Sequence, residues 1–175
     1  LDVLGNPGAS IGRIGVHHDS THYVEHVLDM LGGRDLSGIK VVLDTANGAG
    51  TVVAPDVLRA SGADVIVIAN EPDGRNINAG CGATYPEFVA AAVLEHGADM
   101  GVALDGDADR LIAVDHTGTV VDGDHIIAIC AADLRARGQL ANDTVVVTVM
   151  TNLGFRLAME AAGIHVVETG VGDRY

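Results

Sequence analysis

The segment Gly101-Val-Ala-Leu-Asp-Gly-Asp-Ala-Asp-Arg110 runs from an apolar stretch straight into three carboxylates at alternate positions. Gly101 to Leu104 reads as a short buried strand, and Asp105 follows it with no spacer. Ligands of α/β proteins gather at the carboxyl ends of strands, so this position points to a site. Like charges a few ångströms apart repel strongly at the dielectric of a protein surface. A hard divalent cation such as Mg2+ relieves that repulsion by taking carboxylate oxygens and leaving positions for water or phosphate. Small residues at Gly106 and Ala108 let Asp105, Asp107 and Asp109 converge, and Arg110 adds a rigid donor fork beside them.

Three other readings of the loop compete with Mg2+ binding. A solvated acidic turn is the plainest. An EF-hand loop is excluded, because Arg110 and His116 occupy the sixth and twelfth positions where Gly and Glu belong. A phosphatase could use Asp105 as nucleophile and Asp107 as proton shuttle, and the loop alone leaves that reading open.

Working outward, apolar runs alternate with helical segments. Ser20 to Leu31 predicts a helix stopped by Gly32-Gly33, and Ile39 to Leu43 predicts a buried strand ending at Asp44. Asn47-Gly-Ala-Gly50 leads into a helix through Ala60, followed by a strand over Val65 to Ala69. Residues 70–84 are rich in Gly, Asn, Pro and Asp and read as loop; Pro86 then starts a helix to His96. Beyond the acidic loop, Leu111 to Val114 and Thr119 to Val121 form a hairpin pattern around His116-Thr-Gly118. Asp124 is read as the cap of a helix to Arg137, with a strand over Thr144 to Val149, a helix over Leu153 to Ala162 and a strand over Ile164 to Glu168. The expected class is α/β, a mixed, mostly parallel sheet with flanking helices plus a truncated second unit of the same type. The division falls near residues 121–124, giving units of 1–122 and 123–175. The start at Leu1 and the stop at Tyr175 suggest a piece of something longer.

Composition narrows the function classes. The 24 acidic residues outnumber the 10 Lys and Arg, for a formal charge of −14, which argues against nucleic acid as a partner. A phosphate ligand would then need a local reversal of the field by a cation and arginines. No run approaches the roughly 20 apolar residues of a membrane span, and there is no signal segment, so a cytoplasmic protein is expected. Cys81 and Cys130 have no CxxC spacing and read as reduced thiols without a catalytic role.

The string Asp105-Gly-Asp-Ala-Asp-Arg110 resembles the metal loop of the α-D-phosphohexomutase superfamily. Val42-Leu-Asp-Thr-Ala-Asn-Gly-Ala-Gly50 looks like the first strand and turn of that superfamily's second domain. Asn76-Ile-Asn78 with Cys81-Gly82, Val121-Asp-Gly-Asp124, Met150-Thr-Asn-Leu-Gly154 and Thr169-Gly-Val-Gly-Asp-Arg-Tyr175 are similar to its phosphoglucosamine mutase branch. The resemblance runs from about Ile11 onward. It implies a four-domain enzyme that converts glucosamine 6-phosphate to glucosamine 1-phosphate for cell-wall precursors, through a phosphoserine and a bisphosphate. Phosphoglucomutases and phosphomannomutases of the same superfamily are the alternative. It further implies Asp105, Asp107 and Asp109 as Mg2+ ligands, Arg110 as a catalytic group steadying the phosphoserine or substrate, and Gly172 and Asp173 facing the phosphosugar. A homodimer is compatible with it. Ala83 and Tyr85 depart from the family's usual Ser and His. No segment resembles the phosphoserine loop, the sugar-selecting loop or the terminal phosphate-binding domain. Those are partners a longer protein would supply, and the chain by itself is expected to be inactive.

Two further patterns invite function. His18, His22 and His26 would share one side of a helix and could bind zinc, although a polar helix face explains them more simply. The Asn47–Gly50 turn lacks the Lys and Ser/Thr of a phosphate-binding P-loop and reads as a tight strand-to-helix connection. A stand-alone acidic metal-binding module is the remaining non-enzymatic alternative.

Overall fold

The computed structural model describes residues 19–172. Val41, Val42 and Leu43 are at most 1% exposed, a fully buried run that only a central strand can hold. They form β1 (Lys40–Asp44), flanked in parallel by β2 (Asp64–Ile68) and β3 (Met100–Leu104). The chain then turns back through β4 (Leu111–Asp115) and β5 (Val120–Val121), both antiparallel, to give the order β2-β1-β3-β4-β5.

Alternation along β1 sends Val42 to one face of the sheet and Val41 and Leu43 to the other. Val42 packs with Val89, Ala92 and Val93 of α3 (Pro86–His96), together with Ala103 and Val114. The opposite face carries α2 (Gly50–Ala60), against which α1 (Thr21–Asp29) packs. Helices on both faces therefore enclose the ends of β1 and β3, and that enclosure makes a site at those ends.

The second unit holds α4 (Gly123–Ala136), β6 (Thr144–Thr148), α5 (Leu153–Ala161) and β7 (His165–Thr169). Strands β6 and β7 pair in parallel over a core of Ala131, Val145, Val147, Phe155, Met159 and Ile164. Three of the five strand pairings in the described residues are parallel, so the expected mixed, mostly parallel α/β class holds.

Several boundaries differ from the sequence expectation for local reasons. Strand β2 stops at Ile68, because Ala69 turns to φ +47 and leaves the extended region. The cap of α4 is Asp122, not Asp124: Asp122 keeps extended backbone and its carboxylate accepts the His125 N–H at 2.9 Å. Asp124, inside the first turn, accepts the Asn152 N–H at 2.9 Å and ties α4 to the start of α5.

Candidate metal centre

Asp105 leaves β3 at the enclosed end of the sheet and is 1% exposed. Its backbone and side chain close the loop on Arg110. The Arg110 N–H donates to Oδ1 at 3.0 Å, and Nε and Nη2 both reach Oδ2 at 2.8 Å. Ala108 N donates to the Asp105 carbonyl at 3.0 Å, with Ala108 held at φ +61. The short returning connection to β4 thus turns Asp107 and Asp109 outward, where both are exposed.

The carboxylate oxygens of Asp105, Asp107 and Asp109 lie within 4.8 Å of one another, so the structure brings together the three residues expected as ligands. Their charges act on each other. The negative charge of Asp107, with burial and Asp105 behind it, pushes the Asp109 carboxyl up. Burial alone would push Asp105 up as well, but the backbone N–H, hydrogen-bonding guanidinium and charge of Arg110 outweigh it and leave that carboxyl low. The hydrogen bond and charge of Asp105 raise the Arg110 guanidinium in turn. Three carboxylates sharing one arginine, which grips Asp105 closely and Asp109 only at 3.5 Å, match a divalent ion that prefers carboxylates. The donor set fits Mg2+.

Arg110 is turned onto Asp105, with Asp109 at 3.5 Å, and its side chain is 67% exposed. Attack by Asp105 on phosphorus would require release of this double contact, which disfavours the aspartyl-phosphate reading. Gly172 is exposed at φ +131 after β7, in the second unit, and Asp173 lies outside the described residues. His18 also lies outside them, while His22 sits 3.5 Å from Glu25. Among the described residues, the carboxylate trio is the one cluster able to hold a metal.

Sequence reasoning passed over the groups that seat this loop. Asp44 and Thr45 at the end of β1 are 0% exposed. Asp44 accepts the Ala46 N–H at 2.8 Å and the Gly82 N–H at 2.7 Å. Thr45 Oγ1 donates to the Ala69 carbonyl at 2.7 Å, and Asn47 Oδ1 accepts the Glu71 N–H at 3.0 Å. The available signal was a repeated pattern: an apolar strand ending in Asp, followed by small residues, occurs at Asp44 as it does at Asp105.

Residues 21–118 match the family model described as phosphoglucomutase/phosphomannomutase, alpha/beta/alpha domain II, and residues 122–175 match domain III of the same set. The chain belongs to the phosphoglucomutase/phosphomannomutase family. Within that family it is 55% identical over 169 residues to the phosphoglucosamine mutase of Streptomyces avermitilis, covering 96% of this chain and 37% of the relative. It is 53% identical to that of Symbiobacterium thermophilum, covering 99% of this chain and 39% of the relative. The chain therefore spans well under half the length of these curated relatives. Among solved structures, a phosphoglucomutase/phosphomannomutase family protein from Burkholderia thailandensis superposes with a TM-score of 0.74 at 23% identity, covering 87% of this chain and 33% of that one. Aspergillus fumigatus N-acetylphosphoglucosamine mutase, solved with GlcNAc-6P and magnesium, superposes with a TM-score of 0.61 at 22% identity, covering 86% and 33%. These two likenesses bear on the fold. No helix among the described residues is long and apolar enough to cross a membrane.

Proposed function

We propose that this chain supplies the metal loop of a phosphosugar mutase that interconverts glucosamine 6-phosphate and glucosamine 1-phosphate through a phosphoserine and a bisphosphate. The convergence of Asp105, Asp107 and Asp109 at the end of β3 carries the reading. The preference for an amino sugar rests on relatives at 53% and 55% identity that are phosphoglucosamine mutases. A cytoplasmic location accords with that role.

In this reading Asp105, Asp107 and Asp109 hold Mg2+. Once bound, the ion supplies positive charge that stabilises a phosphoryl group in transfer. The chain's own residues divide the remaining work. Asp105 is the fixed member, because Arg110 grips both of its oxygens. Asp107 and Asp109 are exposed and adjust around it. Arg110 has N–H donors beyond those given to Asp105, and these suit a phosphate oxygen of the phosphoserine or substrate. In the same reading Gly172 and Asp173 are the contacts to the phosphosugar. We place the division between domains at 122, with 1–122 as domain II and 123–175 as the start of domain III. The phosphoserine, the sugar-selecting loop and the terminal phosphate-binding domain come from the rest of a longer protein, so the chain alone is expected to show no mutase turnover.

Calorimetric titration of the chain with Mg2+, beside Asp107→Ala, tests the site. Weak binding that disappears in the variant is the expected result. Equal binding by both, or by neither, would overturn the assignment. Turnover of glucosamine 6-phosphate by the purified chain would contradict its expected inactivity.

A further inference from the structure

Asp44 is a buried carboxylate outside the metal loop, and among the described residues no ion pair accompanies it. Its partners are two backbone N–H groups, one on each oxygen. Each belongs to a segment that touches the metal loop. On one side, Ala46 begins the turn whose Ala49 N–H donates to the Gly106 carbonyl at 2.8 Å. Gly48 lies so close there that a Cβ on it would fall 2.3 Å from the Gly106 oxygen. On the other side, Gly82 sits at φ +78, and a Cβ on it would fall 2.7 Å from the Leu104 carbonyl oxygen. The next residue, Ala83, donates its N–H to that same carbonyl at 2.8 Å, one residue before Asp105.

The two segments are also joined directly. Asn78 N donates to the Ala46 carbonyl at 3.0 Å. The side chains of Ile77 and Asn78 then lie over Gly106, where a Cβ would meet Ile77 Cδ1 at 2.6 Å and Asn78 Nδ2 at 2.9 Å. Gly106 is therefore pinned at its carbonyl from the β1–α2 turn and covered at its Cα by residues 77 and 78. Within the arms, Asn47 Nδ2 also reaches Cys81 Sγ at 3.7 Å. Among the described residues, Asp44 is the one side chain from outside the arms that bonds to both.

We infer that Asp44 is the positioning residue of the metal loop, anchoring a clamp of residues 46–49 and 77–83 that fixes Gly106 and so sets where Asp105 and Asp107 present their oxygens. The inference rests on the metal-loop reading above. A carboxylate suits the task because it accepts on both oxygens. An amide of the same shape would accept one N–H and turn an NH2 toward the other.

Asp44→Asn in the 175-residue chain tests this by amide hydrogen exchange and by Mn2+ titration followed by electron paramagnetic resonance. The expected result is exchange about tenfold faster at Ala49, Ala83 and Ala108, and Mn2+ binding about tenfold weaker, on the scale of one lost hydrogen bond. Amides of β6 and β7 should stay unchanged. A merely structural role would lower the melting temperature while leaving the Mn2+ affinity and the exchange at Ala108 as in the wild type, and that outcome would overturn the inference. Should Asp44→Asn fail to fold, Ile77→Ala takes its place, since Ile77 is 50% exposed and can be cut back without opening the core. Faster exchange at Asp107 and Ala108 with weaker Mn2+ binding then supports the clamp, and wild-type values overturn it. If the wild type binds no Mn2+, the metal reading fails, and the exchange data alone decide for or against the clamp.

Discussion

The two sheets end differently. In the five-stranded sheet, β1 and β3 lead to Asp44 and Asp105, which are 0% and 1% exposed. In the two-stranded sheet, β6 and β7 end at Thr148 and Thr169, both half-buried. The reason is layering. Helices cover both faces of the first sheet, so its strand ends are shielded and can hold polar groups that the backbone satisfies. In the second unit, Val145 and Val147 face a packed core while Val146 is 64% exposed on the other side. With one face open in this chain, the ends of β6 and β7 are less enclosed than those of β1 and β3.

The largest expected effect that breaks this comparison lies in the smaller core. Phe155→Ala removes the one aromatic of that cluster and should cost about 3–5 kcal/mol. Because few contacts join the two units, exchange should then rise across β6 and β7 while the β1–β3 amides stay protected. Loss of protection in both sheets together would show that they unfold as one.

In the first sheet, Asp44→Ala leaves the buried Ala46 and Gly82 N–H groups without acceptors and should destabilise by about 2–4 kcal/mol, measured by urea unfolding. A smaller loss of about 1 kcal/mol is expected for Asp122→Ala, which removes the cap of α4 at the surface. Equal losses at the two positions would erase the distinction between an enclosed and an exposed carboxylate.

The smallest effect is one of sign with pH. Burial pushes the Asp44 carboxyl up, against the partial pull of the Gly82 and Ala46 N–H groups. Its contribution is thus complete below the ordinary carboxylate value of about 3.9 and is lost as pH rises through its own raised value. The backbone and side-chain hydrogen bonds of His125 hold Asp122 low, so its contribution is present above that ordinary value and is lost as pH falls through its lowered one. In urea titrations between about pH 3 and 6, Asp44→Asn should remove a decline toward high pH, and Asp122→Asn a decline toward low pH. Differences of the same sign from wild type would contradict one of the two environments.

Much of this was legible from local chemistry. Helix α3 matches its expected limits at both ends, because Pro86 suits the first turn and Gly97, at φ +56, closes the last. The ends of β1, β2 and β7 shifted by one residue, since Lys40, Asp64 and Thr169 enter the ladders through backbone groups that carry no side-chain signal. Asp122 and Asp124 are equally good caps on paper, and only the extended backbone at 122 distinguishes them.

The sequence by itself determined the alternation of strands and helices and the acidic loop after Leu104. Each follows from periodicity and neighbouring residue types, which act over a few positions. What the tertiary structure alone decided is the seating of that loop. Asp44 reaches the Gly82 N–H, and Gly48, Ile77 and Asn78 crowd Gly106, from segments that only the parallel pairing of β1 with β3 brings together. Such long-range contacts leave no local pattern, because each partner is chosen by the fold that brings it there.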